Sequence, residues 1–327
     1  MQALVYDYEV PDKMTWSDKE HVGEPALGQV RVKVVAVSLN PIDFKIPDIP
    51  GLARNRRESP VGNDFSGKVV RCGPGVKDLK EGDLIFGSTP GCLAEFCIAN
   101  ERNVARIPEK FPADEAAAYP VSGLTAYQGL KYAEVIGNQQ AKKILILGAA
   151  GGVGHFAVQL ASKCGSSGNH IVAVCAREHM EFVKGLGAKE VFDYTKRGFD
   201  VSHNVCDCDV VFDTVSHVGF DYELTAKKCL KKDGKYVATN SPNTTDWIRA
   251  SISSTVGLNF QRSNYHLFMT DVNKTDLEKL AEICIANGVK AFISKRVHFN
   301  EKELFEAMDI LRGSRMKGKI LVNMPQL

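Results

Sequence analysis

No apolar stretch of this sequence approaches the ~18 residues that would cross a bilayer, so no membrane-spanning helix is expected. The first residues, MQALVYDYEV, lack the basic head and apolar run of a secretory leader. Neither sign of charge dominates: 41 Lys and Arg stand against 39 Asp and Glu, a net charge of +2. Bulk electrostatics therefore supply no pull toward nucleic acid or a membrane surface, and neither is expected as a partner. The nine cysteines are odd in number and scattered, which reads as reduced thiols in an intracellular protein rather than a disulfide framework. The cytoplasm is the expected compartment, with an organellar stroma or a peripheral place on a membrane left open. Repeats and low-complexity segments are missing too. What remains is an ordinary globular composition, 44% hydrophobic and 24% charged, in 327 residues, room for about two domains.

The most informative stretch is Lys142 to Cys164, KKILILGAAGGVGHFAVQLASKC. Ile144 to Leu147 form a short apolar run suited to a strand buried on both faces. Gly148, Gly151, Gly152 and Gly154 follow at once, around Val153. Val153, Phe156, Ala157, Leu160 and Ala161 then recur at helical spacing. Strand, tight glycine turn and helix together aim a helix N-terminus at one point, where its N–H groups and positive dipole end bind phosphate. Side chains in the turn would push a pyrophosphate off the backbone and the helix off the strand. A glycine triplet alone is weak; placed between a strand pattern and a helix pattern it reads as a dinucleotide site.

From Met1 to about Val121 the pattern is short strands and turns, which predicts a barrel-like β domain. Strands are expected at Val30–Val37, Gly67–Arg71, Leu84–Gly87 and Ala94–Ala99, and a helix in the segment that opens at Asp114. In SLNPIDFKI, Ser38 to Ile46, a strand ends and Asn40, Asp43 and Lys45 fall on a loop, where scaffolds present function. Spacing alone admits an Asx-type turn with a surface lysine equally well. In SPVGNDFSGKVV, Asn63 and Asp64 read first as turn-forming side chains that cap their own backbone. Arg54, Arg56 and Arg57 read first as a solvated basic loop, with a cleft rim that attracts a phosphorylated cofactor as the alternative.

The middle alternates strand and helix as a doubly wound unit does. Strands are expected at His170–Cys175, Glu190–Tyr194, Asp209–Asp213 and Lys235–Thr239, with helices at Glu178–Leu186 and Phe220–Leu230 and a turn at Asp233-Gly234. Ligands in such sheets sit beyond the strand C-termini, which selects Cys175–Arg177, Tyr194, Asp213–Ser216 and Thr239–Ser241, Asn240 among them, as cofactor-lining loops. His217 falls near the same rim without an assigned role. Asn264 to His266 and Phe268 are candidates to line a cleft. A helix at Lys274–Ala286, a strand at Ala291–Ile293, a helix at Asn300–Leu311 and a strand at Lys319–Val322 close the chain.

Several segments together resemble the zinc-free quinone oxidoreductase branch of the medium-chain dehydrogenase/reductase superfamily. They are SLNPIDFKI, VGNDFSGKVV, GCLAEF, PVSGLTAYQGL, GAAGGVGHFAVQLA, EFVKGLGAKEVFDY and GKILVN, in that order over nearly the whole chain. The resemblance implies an α/β protein: a GroES-like β-rich catalytic domain, residues 1–124 and 262–327, and a Rossmann domain, residues 125–261, with a cleft between them. It implies that Asn40 and Thr125 position the nicotinamide, that Tyr194 lies over the adenosine phosphate, and that Asn240 and Lys319 join the cofactor-binding set. A homodimer is the family default. Zinc-using relatives carry a Cys near Asn40-Pro41 and a His-Glu pair where Asn63-Asp64 stand here. The four-cysteine zinc lobe is missing, since Cys92 and Cys97 are too few for it. No metal is expected.

The acceptor must then be reducible without a Lewis acid, which selects quinones and α,β-unsaturated carbonyls, whose conjugation spreads the incoming charge. Lys45 is the candidate partner of the developing oxyanion, with water, Tyr127 and Tyr265 as candidate proton donors. An enoyl-thioester reductase and a weakly catalytic NADPH-binding protein, crystallin-like or regulatory, are the alternatives. NADPH is the expected cofactor. The second strand ends Ala173-Val174-Cys175-Ala176, with Val174 where an NAD-specific domain has an acid, and Arg177 follows with a guanidinium suited to phosphate. Glu178 is expected to turn away into the first turn of the next helix.

Overall fold

The computed structural model describes residues 1–10, 13–46, 58–215, 222–241, 245–250, 264–313 and 316–325. The chain divides into two compact units. One is Met1–Leu124 with Asp271–Ile285 and Ala291–Leu327; the other is Thr125–Thr270 with Ala286–Lys290. The return to the first unit at Asp271 comes later than residue 262, because Tyr265–Leu267 pair with the second unit's sheet.

The first unit opens with β1 (Ala3–Tyr6) and β2 (Met14–Ser17), an antiparallel pair that sequence patterning did not mark. β3 (Gln29–Leu39) follows and leads into the short helix α1 (Pro41–Lys45). Then come β4 (Asp64–Cys72), β5 (Leu84–Ser88), β6 (Phe96–Asn100) and β7 (Val104–Arg106). Val30, Val32 and Val34 are buried along β3 while Arg31 and Lys33 alternate with them, as a half-buried strand requires. The segment at Asp114 is a 3₁₀ turn, Glu115–Ala118, followed by the helix α2 (Pro120–Tyr132).

The second unit is a parallel sheet. It holds β8 (Lys143–Leu147), the helix α3 (Gly154–Lys163), β9 (His170–Cys175), β10 (Glu190–Asp193), β11 (Cys208–Asp213), β12 (Leu230–Ala238) and β13 (Tyr265–Leu267). The strand order is β10-β9-β8-β11-β12-β13, the dinucleotide-binding order with its switch point between β8 and β11. Ile144 to Leu147 are wholly buried, as their apolar run predicts. Two expectations change here. Asp233 and Gly234 lie inside β12, where a register shift opposite Cys208 and Val210 absorbs them; a Cβ on Gly234 would stand 2.8 Å from the Cys208 carbonyl oxygen. The helix foreseen over Phe220–Leu230 is, among the described residues, a single turn at Glu223–Ala226 and a 3₁₀ turn at Lys227–Cys229.

The chain returns through a helix at Lys274–Asn287, β14 (Ile293–His298), a helix at Glu301–Arg312 and β15 (Lys319–Asn323). β14 starts where the expected strand Ala291–Ile293 was to end. The helix Glu301–Arg312 buries Leu304, Ala307, Met308 and Leu311, one face at helical spacing, against the first unit's core. In the larger sheet β15, β3 and β4 are neighbours, with Leu321 opposite Ser38 and Ser38 opposite Asp64. That register sets Lys319, Asn40 and Asp64 at one end of three adjacent strands.

Candidate active site

In the second unit the glycine turn runs from β8 into α3. Gly148 has φ +75°, and a Cβ there would meet Val215 Cγ2 at 2.4 Å and Thr214 Oγ1 at 2.6 Å. A Cβ on Gly154 would stand 2.1 Å from the Gly148 carbonyl oxygen. Backbone N–H groups of Gly148 and Ala149 donate to the Val174 carbonyl, at 3.1 and 3.0 Å, which ties the turn to β9. Gly151, Gly152 and Val153 are half-buried, and α3 has neither a side-chain cap nor an acid in its first turn. The cradle fits a dinucleotide pyrophosphate, because its backbone is bare and its charge is that of a helix N-terminus.

Beside it, β9 and β10 run in register with Cys175 opposite Asp193. This sets Arg177 and Tyr194 beyond neighbouring strand ends, both exposed. No acid ends β9; Val174 is buried there. Asp193 is the nearby carboxylate that sequence reasoning passed over. Its Oδ1 accepts from the Thr195 amide at 2.9 Å and hydroxyl at 2.6 Å, and these bonds, with Lys196 and Arg177 nearby, hold its pKa down. Glu178 lies in the 3₁₀ turn Arg177–His179, with Oε1 3.5 Å from His179 Nε2.

Other proposed contacts of this unit have partners within it. Thr125 and Thr270 hydroxyls are hydrogen-bonded to each other. Asn240 Oδ1 accepts from the Ser241 amide at 2.9 Å. Tyr127 is buried, with Lys131 Nζ 5.5 Å from its ring centroid. Tyr265 is a core residue, 3% exposed and stacked 5.5 Å from Tyr236, whose hydroxyl donates to Asp213 Oδ2. His266 is sandwiched between Tyr132, 3.6 Å away, and Phe268, and burial pushes its pKa down to about 4. These rings stack in an aromatic ladder. Arg54, Arg56, Arg57, Ser216 and His217 lie outside the described residues.

The first unit holds a second cluster, whose Asn40, Asp43, Asp64 and Lys319 are buried. Asn40 caps α1, and its amide N–H donates to Asp43 Oδ2 at 2.7 Å. Asp43 Oδ1 accepts from Asn63 Nδ2 at 2.6 Å. Asn40 Nδ2 donates to Asp64 Oδ2 at 2.9 Å and to the Ser38 carbonyl at 3.2 Å. Asp64 also accepts from the Val121 amide in the first turn of α2, at 3.1 Å to each oxygen. Asn63 and Asp64 are therefore network members rather than caps of their own turn. Burial pushes the Asp64 carboxyl up to about 7 against the pull of Lys319 and the Asn40 hydrogen bond, and pushes Lys319 down against Asp64 and Asp43. Lys319, placed in the cofactor-binding set from sequence, is 2% exposed and spends its ammonium inside this cluster. Lys45, at the end of α1, is half-buried; burial lowers its pKa, and it makes no ion pair among the described residues.

This cluster does not fit a zinc ion. The positions where relatives carry ligands hold two amides and one acid here; the Lys319 ammonium already donates to Asn40 Oδ1, and the amide hydrogens of Asn40 and Asn63 go to Asp64 and Asp43. Among the described residues no group of three His, Cys, Asp or Glu side chains could hold a metal. All nine cysteines are free, and burial pushes the Cys92 and Cys97 thiols up, away from the thiolate a metal needs. No helix among the described residues is long and apolar enough to cross a membrane.

Comparison with known proteins agrees with both units. A family described as alcohol dehydrogenase GroES-like domain matches residues 26–109, and one described as zinc-binding dehydrogenase matches residues 186–322. A quinone-oxidoreductase homologue of Spinacia oleracea chloroplasts is 42% identical over 183 residues, which span 53% of this chain and 54% of that protein, so the match covers about half of each. An NADPH-dependent alkenal/one oxidoreductase of Arabidopsis thaliana chloroplasts is 30% identical over 98% of this chain and 79% of its own length. The solved structure of a quinone oxidoreductase from Coxiella burnetii is 27% identical, covers 99% of both chains and superposes with a TM-score of 0.85.

Proposed function

The chain belongs to the medium-chain dehydrogenase/reductase superfamily, and on that premise we propose that it is an NADPH-dependent reductase of quinones or of the double bond of α,β-unsaturated carbonyls. The observation that carries this reading is the bare glycine cradle at α3 beside Arg177, with no acid at the end of β9. NADPH supplies the hydride. Gly148 to Gly154 hold its pyrophosphate through backbone N–H groups, and Arg177 with Tyr194 receives the 2′-phosphate. Lys45 is the residue that meets negative charge developing on the acceptor oxygen. Burial has already lowered its pKa, and a partly desolvated ammonium is a stronger partner for an oxyanion than a hydrated one. Tyr127 is the candidate proton donor.

Asn40 acts at second hand. Both its amide hydrogens and its oxygen are engaged within the first unit, so it supports the Asn40–Lys45 segment instead of gripping the nicotinamide. Free thiols at every cysteine suit a reducing compartment, cytosol or stroma. The test is coenzyme oxidation by the purified protein with a quinone, an alkenal, an enone and an enoyl thioester, each with NADPH and with NADH. Turnover of a quinone or enone with NADPH supports the reading. Turnover confined to the enoyl thioester moves the protein to the carrier-linked reductases, and NADPH binding with no turnover makes it a binding protein.

A further inference from the structure

Three oxygens from two separate chain segments meet at one buried ammonium carried by a third. Lys319, the first residue of β15, donates from Nζ to Asn40 Oδ1 at 2.5 Å, to the Leu39 carbonyl at 3.1 Å and to Ser122 Oγ at 3.1 Å. Those bonds use every donor the ammonium has. The Asn40 side chain is equally committed. Its oxygen takes Lys319 and lies 3.4 Å from Ser122 Oγ, while its two hydrogens go to Asp64 Oδ2 and the Ser38 carbonyl. An amide can rotate to exchange its oxygen and nitrogen. Here a cation on one side and a carboxylate on the other leave only one orientation free of a donor-to-donor or acceptor-to-acceptor clash.

We propose that Lys319 is a positioning residue, a fixed internal cation that sets the direction of the Asn40 amide and so holds the Asn40–Lys45 segment in its working shape. The proposal rests on the reading that this segment serves the acceptor. The positions that carry zinc ligands in metal-using relatives carry amides and an acid here, and the positive charge at this place comes from the chain itself. Burial at this site would drive both groups toward neutrality, and the opposed charges of Lys319 and Asp64 keep each other ionised in part. Asp43 is the other charged group facing the ammonium's cluster. A lysine at this depth reaches neither solvent nor an exposed ligand, so its influence on the reaction passes through Asn40.

The test compares Lys319→Met and Lys319→Arg with the parent protein in three measurements: hydrogen–deuterium exchange across residues 38–46, equilibrium NADPH binding, and kcat with the best acceptor. Lys319→Met should raise exchange in that segment and lower kcat, each about tenfold or more, as loss of a charge-assisted contact does, with NADPH affinity unchanged within about twofold. Lys319→Arg should restore exchange protection and part of kcat. Where Lys319→Met does not fold, Ser122→Ala removes one of the three oxygen partners and should give the same pattern at a severalfold amplitude. Unchanged exchange at 38–46, or NADPH affinity lost with kcat retained, overturns the proposal; the latter would make Lys319 a direct coenzyme contact. Exchange is read without any acceptor, so a protein inactive on quinones and enones would sink the functional reading and still report on Lys319.

Discussion

In the proposed function, Arg177 is the residue on which coenzyme choice turns. It is exposed and stands beyond the end of β9, a strand that ends in no acid, while Asp193 at the end of β10 is engaged by Thr195. A guanidinium on a phosphate is a charge-assisted contact of roughly 1.5–3 kcal/mol. Arg177→Ala should therefore raise KM for NADPH about tenfold or more and leave NADH nearly untouched. Steady-state kinetics with both coenzymes checks it, and equal losses would show that Arg177 does not read the 2′-phosphate. Asp64 makes a different prediction. Its carboxyl titrates at about 7 in the fold against 3.8 for a free side chain, so between those values the folded state holds a proton that the unfolded chain has lost. The stability it contributes is full below about 4 and is lost as pH rises through about 7. Thermal unfolding of Asp64→Asn should show a flatter pH dependence than the parent in that window; an unchanged slope would place the Asp64 pKa near its ordinary value. Sequence did not reveal this acid, because Gly62-Asn63-Asp64 reads locally as turn chemistry. Only the pairing of β4 with β3 brings it to Asn40.

Among the elements, the strand–turn–helix from β8 to α3 was legible because its signals are local: an apolar run, then glycines, then helical spacing. Its tolerance is local as well. Gly154→Ala places a methyl 2.1 Å from the Gly148 carbonyl oxygen and 2.7 Å from Ala149 Cα, both backbone that cannot swing aside. This variant should lower the melting temperature and weaken NADPH binding about tenfold or more, since a displaced turn loses the N–H geometry that holds phosphate. Gly185→Ala, at the last position of the helix Met180–Gly185 where nothing lies within 4 Å, should bind NADPH as the parent does and leave the melting temperature unchanged or slightly raised. Calorimetry and a coenzyme titration on the pair separate the two effects, and equal behaviour would contradict the close-approach account. Elements set by distant partners were less legible. Asp233-Gly234 carries a turn signature, yet tertiary pairing draws it into β12 as an irregularity. Tyr265 carries a reactive side chain, yet it stacks on Tyr236 inside the core.

At the scale of the whole molecule, strand order and family were readable because several modest motifs recur in a fixed succession along the chain. The six parallel strands of the second unit follow the dinucleotide-binding order. The chemistry was only half readable. Glycine cradle and Arg177 lie close in sequence to the strands that present them, whereas Lys319, Asn40, Asp64 and Ser122 come together from four distant segments. That convergence sets an ammonium against Asn40, and in the function proposed above the reaction falls to coenzyme, Lys45 and an easily reduced acceptor. The account is tested most directly by the ratio of NADPH-driven to NADH-driven kcat/KM with one quinone or enone, measured before and after exhaustive chelation. The prediction is a ratio of about ten or more from the 2′-phosphate contact, with both rates unmoved by the chelator. Equal use of the two coenzymes, or activity lost on chelation and regained with zinc, would contradict it.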